Sequence, residues 1–167
     1  MSERSLMFKE LLRGALVLFF GAPIAFPTDV EDVLCDHKVP YEVVAELPDD
    51  SGFGAYYRFS DGKIFFDDDI IGSSGYLYRY YAAHEMIHKI RYENGLWTGD
   101  RVFEEYVAVY GAEEFSSAIG FGMVSISEQD HIKQTLKKNG LVANEIDIKR
   151  VREEIKKTLR VLKDVKN

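Results

Sequence analysis

Cysteine is almost absent from these 167 residues: Cys35 stands alone, so no disulfide can form within the chain and stability must come from a packed core. Proline is scarce as well. It occurs at positions 23, 27, 40 and 48 and nowhere beyond, which leaves the later chain free to form long helices. Long hydrophobic runs are also missing. The most apolar stretch, Gly14–Phe26, has thirteen residues, too few for the roughly 20 that a membrane helix needs. As a signal peptide it would carry Glu3 and Glu10 in its n-region and has no clean small-x-small cleavage site. A buried N-terminal element is therefore expected, with secretion as the alternative. Positive charge is in deficit, at 21 Lys and Arg against 28 Asp and Glu, and the net charge of −7 argues against a general nucleic-acid binder.

What is present describes a globular chain: 46% hydrophobic, 13% aromatic and 29% charged. No repeat or low-complexity linker divides it, so residues 1–167 read as one domain, with a core over 28–115 and a helical extension over 127–165. The extension differs in charge. Residues 128–167 carry a net +4, leaving −11 on residues 1–127.

Leu6–Phe20 reads as a helix broken by Gly21, Pro23 and Pro27, and Thr28–Lys38 as a second one stopped by Pro40. Tyr41–Leu47 reads as a strand. Ala55–Phe59 and Lys63–Asp67 read as a hairpin around Asp61-Gly62. Beyond Ile70-Ile71-Gly72 the apolar period changes from two to about 3.6. A helix capped by Ser73 or Ser74 then runs to Glu93, with Leu77, Tyr80, Ala83, Ile87 and Ile90 as its apolar stripe and Asn94-Gly95 as its stop. Helices over Asp100–Phe115, Ser127–Lys138 and Asn144–Val165 follow. This order predicts an α+β fold with a small antiparallel sheet packed on the long helix and additional C-terminal helices. The last helix carries an apolar stripe of Ile148, Val151, Ile155, Leu159, Leu162 and Val165. Packing on the domain is its expected use, with a homodimer or partner contact as the alternative. Its Lys and Arg residues read as a solvated face. Asp67-Asp68-Asp69 lacks EF-hand spacing and reads as a solvated strand end rather than a calcium site.

The long helix holds His84-Glu85-Met86-Ile87-His88, an H-E-x-x-H sequence. Residues i and i+4 of a helix project from one face, so both imidazoles can reach one ion. Glu85 lies about 100° round from His84, placed to act on water as a general base rather than as a ligand. A catalytic zinc takes three protein ligands. His37, His131 and Cys35 lack a ligand context. Glu104 and Glu105 open the next helix, which a short antiparallel connection brings back beside the first. Glu105 shares a face with Ala108 and Ala112, whose small side chains permit close approach. Glu105 is accordingly the favoured third ligand and Glu104 the alternative. Tyr92, Tyr106 and Tyr110 are candidate contacts to substrate or oxyanion. Lys63–Asp67, as a sheet edge, could pair with an extended substrate.

This helix followed by Glu104-Glu105-Tyr106-Val107-Ala108 resembles the gluzincin arrangement, in which H-E-x-x-H is followed by a glutamate on the next helix. The order of short helix, strand, glycine-containing turn, hairpin and metal helix over roughly residues 28–115 resembles the ImmA/IrrE metallopeptidase domain. Ile87 stands where that family usually has glycine before the second histidine. The resemblance implies a minimal zincin-like fold with one zinc ion on His84, His88 and Glu105. It implies a metalloendopeptidase that cleaves peptide bonds with Glu85 as base. It further implies a protein or peptide substrate, repressor-like proteins among them, and a cytoplasmic location without membrane attachment. The alternative is a zinc-binding regulatory or interaction module without useful proteolysis. A domain this small could also be held latent, with Gly14–Phe26 as a segment covering the cleft.

Overall fold

The computed structural model describes residues 30–47, 54–72, 75–121 and 147–165, with single positions 134, 137 and 140. The expected helix Leu6–Phe20, the stretch Gly14–Phe26, His131 and nearly all of Ser127–Lys138 lie outside the described residues.

Helix α1 (Val30–Asp36) turns Val30, Val33 and Leu34 into the core. It closes with Lys38 at φ 53° and a bond from Val39 N to Leu34 O, just before Pro40. Strands β1 (Tyr41–Val44), β2 (Ala55–Arg58) and β3 (Lys63–Asp67) form one sheet in the order β1-β3-β2. The sheet is mixed rather than antiparallel. β2 pairs antiparallel with β3 through the expected hairpin, in the register Ala55↔Phe66 to Arg58↔Lys63. β1 instead runs parallel to β3, from Tyr41↔Ile64 to Val44↔Asp67. β3 is thus the central strand, not the edge. The continuous run Ile64-Phe65-Phe66 explains this, because all three side chains are buried and a strand covered on both faces needs no polar alternation. Gly62 permits the hairpin turn at φ 67°, and its N–H donates to Arg58 O.

Asp67 ends β3, and its side chain accepts from the Asp69 backbone N–H at 3.0 Å, opening the short helix α2 (Asp68–Gly72). The acidic run is a strand end with Asp68 and Asp69 exposed, as expected, and Asp67 in addition caps a helix. Helix α3 (Gly75–Glu93) follows. Tyr78 and every residue from Tyr80 to His88 are buried, so the helix is covered on more than one side instead of burying a single stripe. The cause is its position: the sheet and α1 lie against one flank, helices α4 (Arg101–Ile119) and α5 (Ile148–Val165) against the others.

The α3–α4 link is a tight stop. Leu96 N donates to Arg91 O at 2.8 Å across Gly95, whose φ of 67° a glycine adopts without strain. Asp100 caps α4 by accepting from Phe103 N at 3.1 Å. That helix continues past Phe115 to Ile119, because Phe115, Ser116 and Ile119 are all buried and only Gly120, at φ 99°, ends it. Asp147 caps α5 through Lys149 N and Arg150 N. Val151, Ile155 and Leu162 of α5 are buried in the common core with Leu159 half-buried against it, so the middle of its stripe is packed on the domain, while Ile148 is exposed. No helix among the described residues is long and apolar enough to cross a membrane.

Candidate metal centre

His84 and His88 leave α3 one turn apart and face α4, where Glu105 projects back at them. His84 Nε2 lies 3.1 Å from His88 Nε2 and 3.2 Å from Glu105 Oε2, and His88 Nε2 lies 3.6 Å from the same oxygen. Two ligands at about 2.05 Å from a tetrahedral zinc stand about 3.3 Å apart, so the three atoms have the spacing of a tetrahedron's face. Hydrogen bonds among the three groups hold these distances, and two nitrogens with one carboxylate oxygen form a donor set that could hold a metal ion, of a kind typical of zinc. The residues fit the ion. Burial works to raise the Glu105 carboxyl, but the His88 charge and hydrogen bonds from His84 and His88 outweigh it and hold the group well below the ordinary carboxylate range. Asp67, Asp68 and Asp69 also bring carboxylates together, but there the Asp67 oxygen is engaged as a helix cap.

One feature departs from most histidine sites. His84 Nδ1 and His88 Nδ1 are both buried without a hydrogen-bond partner, whereas a ligating histidine ordinarily donates its second nitrogen to an acceptor that fixes its orientation.

Adjacent positions on a helix point about 100° apart, and Glu104 goes elsewhere. Its carboxylate accepts from Arg91 Nε at 2.5 Å and Nη2 at 3.0 Å, and from Thr98 N and Oγ1 at 2.9 Å each. Arg91 also donates to Leu96 O, to Glu154 Oε2 at 3.1 Å and to Thr158 Oγ1 at 3.1 Å. Arg91 and Glu104 are fully buried. Their network ties α3, the α3–α4 loop, α4 and α5 together next to the cluster of His84, His88 and Glu105. Sequence reasoning missed this role. The available signal was Arg91 itself, four residues after Ile87 on the apolar side of α3, where a charge requires a partner.

In front of the ligands lies a cavity of about 330 Å³. His84, Glu85, His88 and Glu105 line one side, and all four residues of β2 border another. Glu85 is buried, with Oε1 4.0 Å from His84 Nε2. Phe59 and Trp97 form an apolar wall, with ring centroids 4.8 Å apart, and Trp97 packs edge-on against His88 at 5.6 Å. Among the described residues, no strand pairs with the outer edge of β2.

The remaining candidates do not line this cavity. Tyr106 and Tyr110 stack on each other along α4, and Tyr92 packs against Phe59 and Trp97 at the surface; none of the three lines the cavity. His37 borders a separate cavity of about 110 Å³ with Lys89 and Glu93, and Cys35 is exposed on α1. Tyr56, Arg58, Trp97 and Arg101 line the main cavity without having been singled out from sequence. No protein-family model matches the chain, and neither a curated protein nor a solved structure matches it.

Proposed function

We propose that the chain is a zinc-dependent metallopeptidase, with His84, His88 and Glu105 as ligands and Glu85 as general base, of the gluzincin kind that the ImmA/IrrE resemblance implies. The observation that carries this reading is the convergence of the three ligand atoms, 3.1–3.6 Å apart, beside a buried carboxylate at a cavity wall. A zinc ion held there supplies Lewis acidity, polarising a carbonyl and acidifying water. Glu85 Oε1 takes the proton of the attacking water and returns it to the amine nitrogen that leaves. The outer edge of β2, with which no strand among the described residues pairs, borders the cavity, which favours an extended peptide as substrate. The Trp97–Phe59 wall limits water at the reacting carbonyl and strengthens the electrostatics there.

The second reading, a zinc module without useful proteolysis, draws on the two unpartnered Nδ1 atoms, which weaken retention of the metal. One variant separates the two. Glu85→Gln is expected to bind one zinc per chain by elemental analysis and to lose peptide cleavage by about 10²–10⁴-fold. Full cleavage in that variant would remove Glu85 as the base, and a wild-type protein that takes up no zinc would remove both readings.

A further inference from the structure

Two arginines line the cavity, and they are in different situations. Arg58 is committed. Its Nε donates to Asp61 Oδ1 at 2.9 Å, and its guanidinium lies 4.4 Å above the Phe65 ring. Arg101 is exposed, and among the described residues no acid pairs with it. The acids nearest in sequence are all engaged. Asp100 caps α4, Glu104 holds Arg91 and Thr98, and Glu105 faces His84 and His88.

Stability does not account for a cation at this place. Arg101 is the first residue of α4, where the helix dipole disfavours positive charge. It stands four residues before Glu105, on the same face of the helix and about 6 Å along it. A guanidinium there presents paired N–H donors, one turn from the ligand cluster, in a geometry that matches a carboxylate. The Trp97–Phe59 wall offers no acceptor oxygen for its N–H groups.

Resting on the peptidase reading, we propose that Arg101 binds a carboxylate of the substrate and makes the cavity selective for peptides carrying an acidic group close to the scissile bond. The carboxylate is either an Asp or Glu side chain or the chain's own C-terminus, and the chemistry of capture is the same.

The test uses the zinc-loaded full chain and a probe that needs no turnover. Alkanedioic monohydroxamates with two to six methylenes, and the matching neutral amides, are titrated by calorimetry. The hydroxamate engages the metal, and the far carboxylate is the only difference in charge. At least one length is expected to bind about five- to tenfold tighter than its amide. Arg101→Met should abolish that preference while amide affinity stays within about twofold, and Arg58→Met should keep it. A preference that survives Arg101→Met, or equal binding of acid and amide at every length, overturns the proposal and leaves the peptidase reading standing. A chain that takes up no zinc overturns that reading, and the proposal with it.

Two peptide sets then identify the source, using zinc-loaded Glu85→Gln. One set is blocked at both ends with a single Asp or Glu; the other has neutral side chains and a free C-terminus. The set whose binding weakens on Arg101→Met names the carboxylate, and insensitivity of both overturns the assignment.

Discussion

Glu104 and Glu105 are neighbours in the chain with opposite fates, and the difference sets how their variants must be interpreted. Glu105→Ala removes one of the three clustered ligand atoms from a site that is otherwise intact. Zinc affinity should fall by at least about 100-fold while the chain stays folded. Glu104→Ala leaves Arg91 buried without its main carboxylate, a change expected to cost about 3–5 kcal/mol. It will lower zinc occupancy only through unfolding. Zinc titration alone confuses the two effects; zinc titration beside urea denaturation separates them. Equal loss of stability in both variants would refute the division of roles. At this scale the convergence of the two histidines was legible from helical spacing, because i and i+4 share a face whatever surrounds them. The face that Glu105 shares with Ala108 and Ala112 favoured it over Glu104 without settling the choice. What separates them is the Arg91 guanidinium, thirteen positions away in the chain, and no local pattern encodes that contact.

Among the elements, α3 and α4 were legible chiefly from their terminal signals, Asn94-Gly95 after the first and Asp100 before the second. Sheet order was not. The hairpin follows from Asp61-Gly62, but nothing in Tyr41–Val44 states that it runs parallel to β3, since three of its four residues are exposed. The central place of β3 was encoded in Ile64-Phe65-Phe66, whose lack of alternation is the mark of a strand covered on both faces. Helix α5 offers a test of packing at this level. A Cβ on Gly111 of α4 would meet Ile155 Cγ1 and Ile87 Cδ1 at 3.2 Å each, so three helices converge on a residue with no side chain. Gly111→Ala gains about 1 kcal/mol of helix propensity against a tight contact that flexible side-chain ends can relieve, so its stability should stay within about 1 kcal/mol of wild type. Gly111→Leu cannot be relieved that way and should lose about 2 kcal/mol, measured by the urea midpoint. A leucine variant as stable as wild type would show that α5 does not sit against α3 and α4 at this level.

For the molecule as a whole, the metal reading has a consequence that needs no substrate. The proposed ligands come from two helices and meet only in the fold, so zinc binds the native chain and stabilises it by mass action. At free zinc about 100-fold above the dissociation constant, the gain is about 2.7 kcal/mol, which for a domain of this size raises the melting temperature by roughly 5–10 °C. The buried Nδ1 atoms of His84 and His88 lack acceptors. Missing support of that kind weakens metal affinity by about 10–100-fold, so a chelator such as EDTA should reverse the rise and renewed zinc should restore it. Acid acts on the two forms differently. Protons compete with zinc for the histidines, so the zinc-dependent increment shrinks as pH falls. The zinc-free protein keeps a separate contribution from Glu105 and Glu154. Burial opposes the charge of each, but His88 and His84 in the first case, Lys157 and Arg91 in the second, hold both carboxyls below the ordinary value of 4.5. Groups lowered on folding stabilise the native state above their unfolded pKa, and that contribution is lost as pH falls through the folded value. Thermal scans of zinc-loaded and EDTA-treated protein from pH 8 to pH 3 should therefore converge on acidification, with the zinc-free curve falling only below about pH 4.5. A melting temperature indifferent to zinc at pH 8 would mean that the cluster of His84, His88 and Glu105 does not hold the ion in the folded chain.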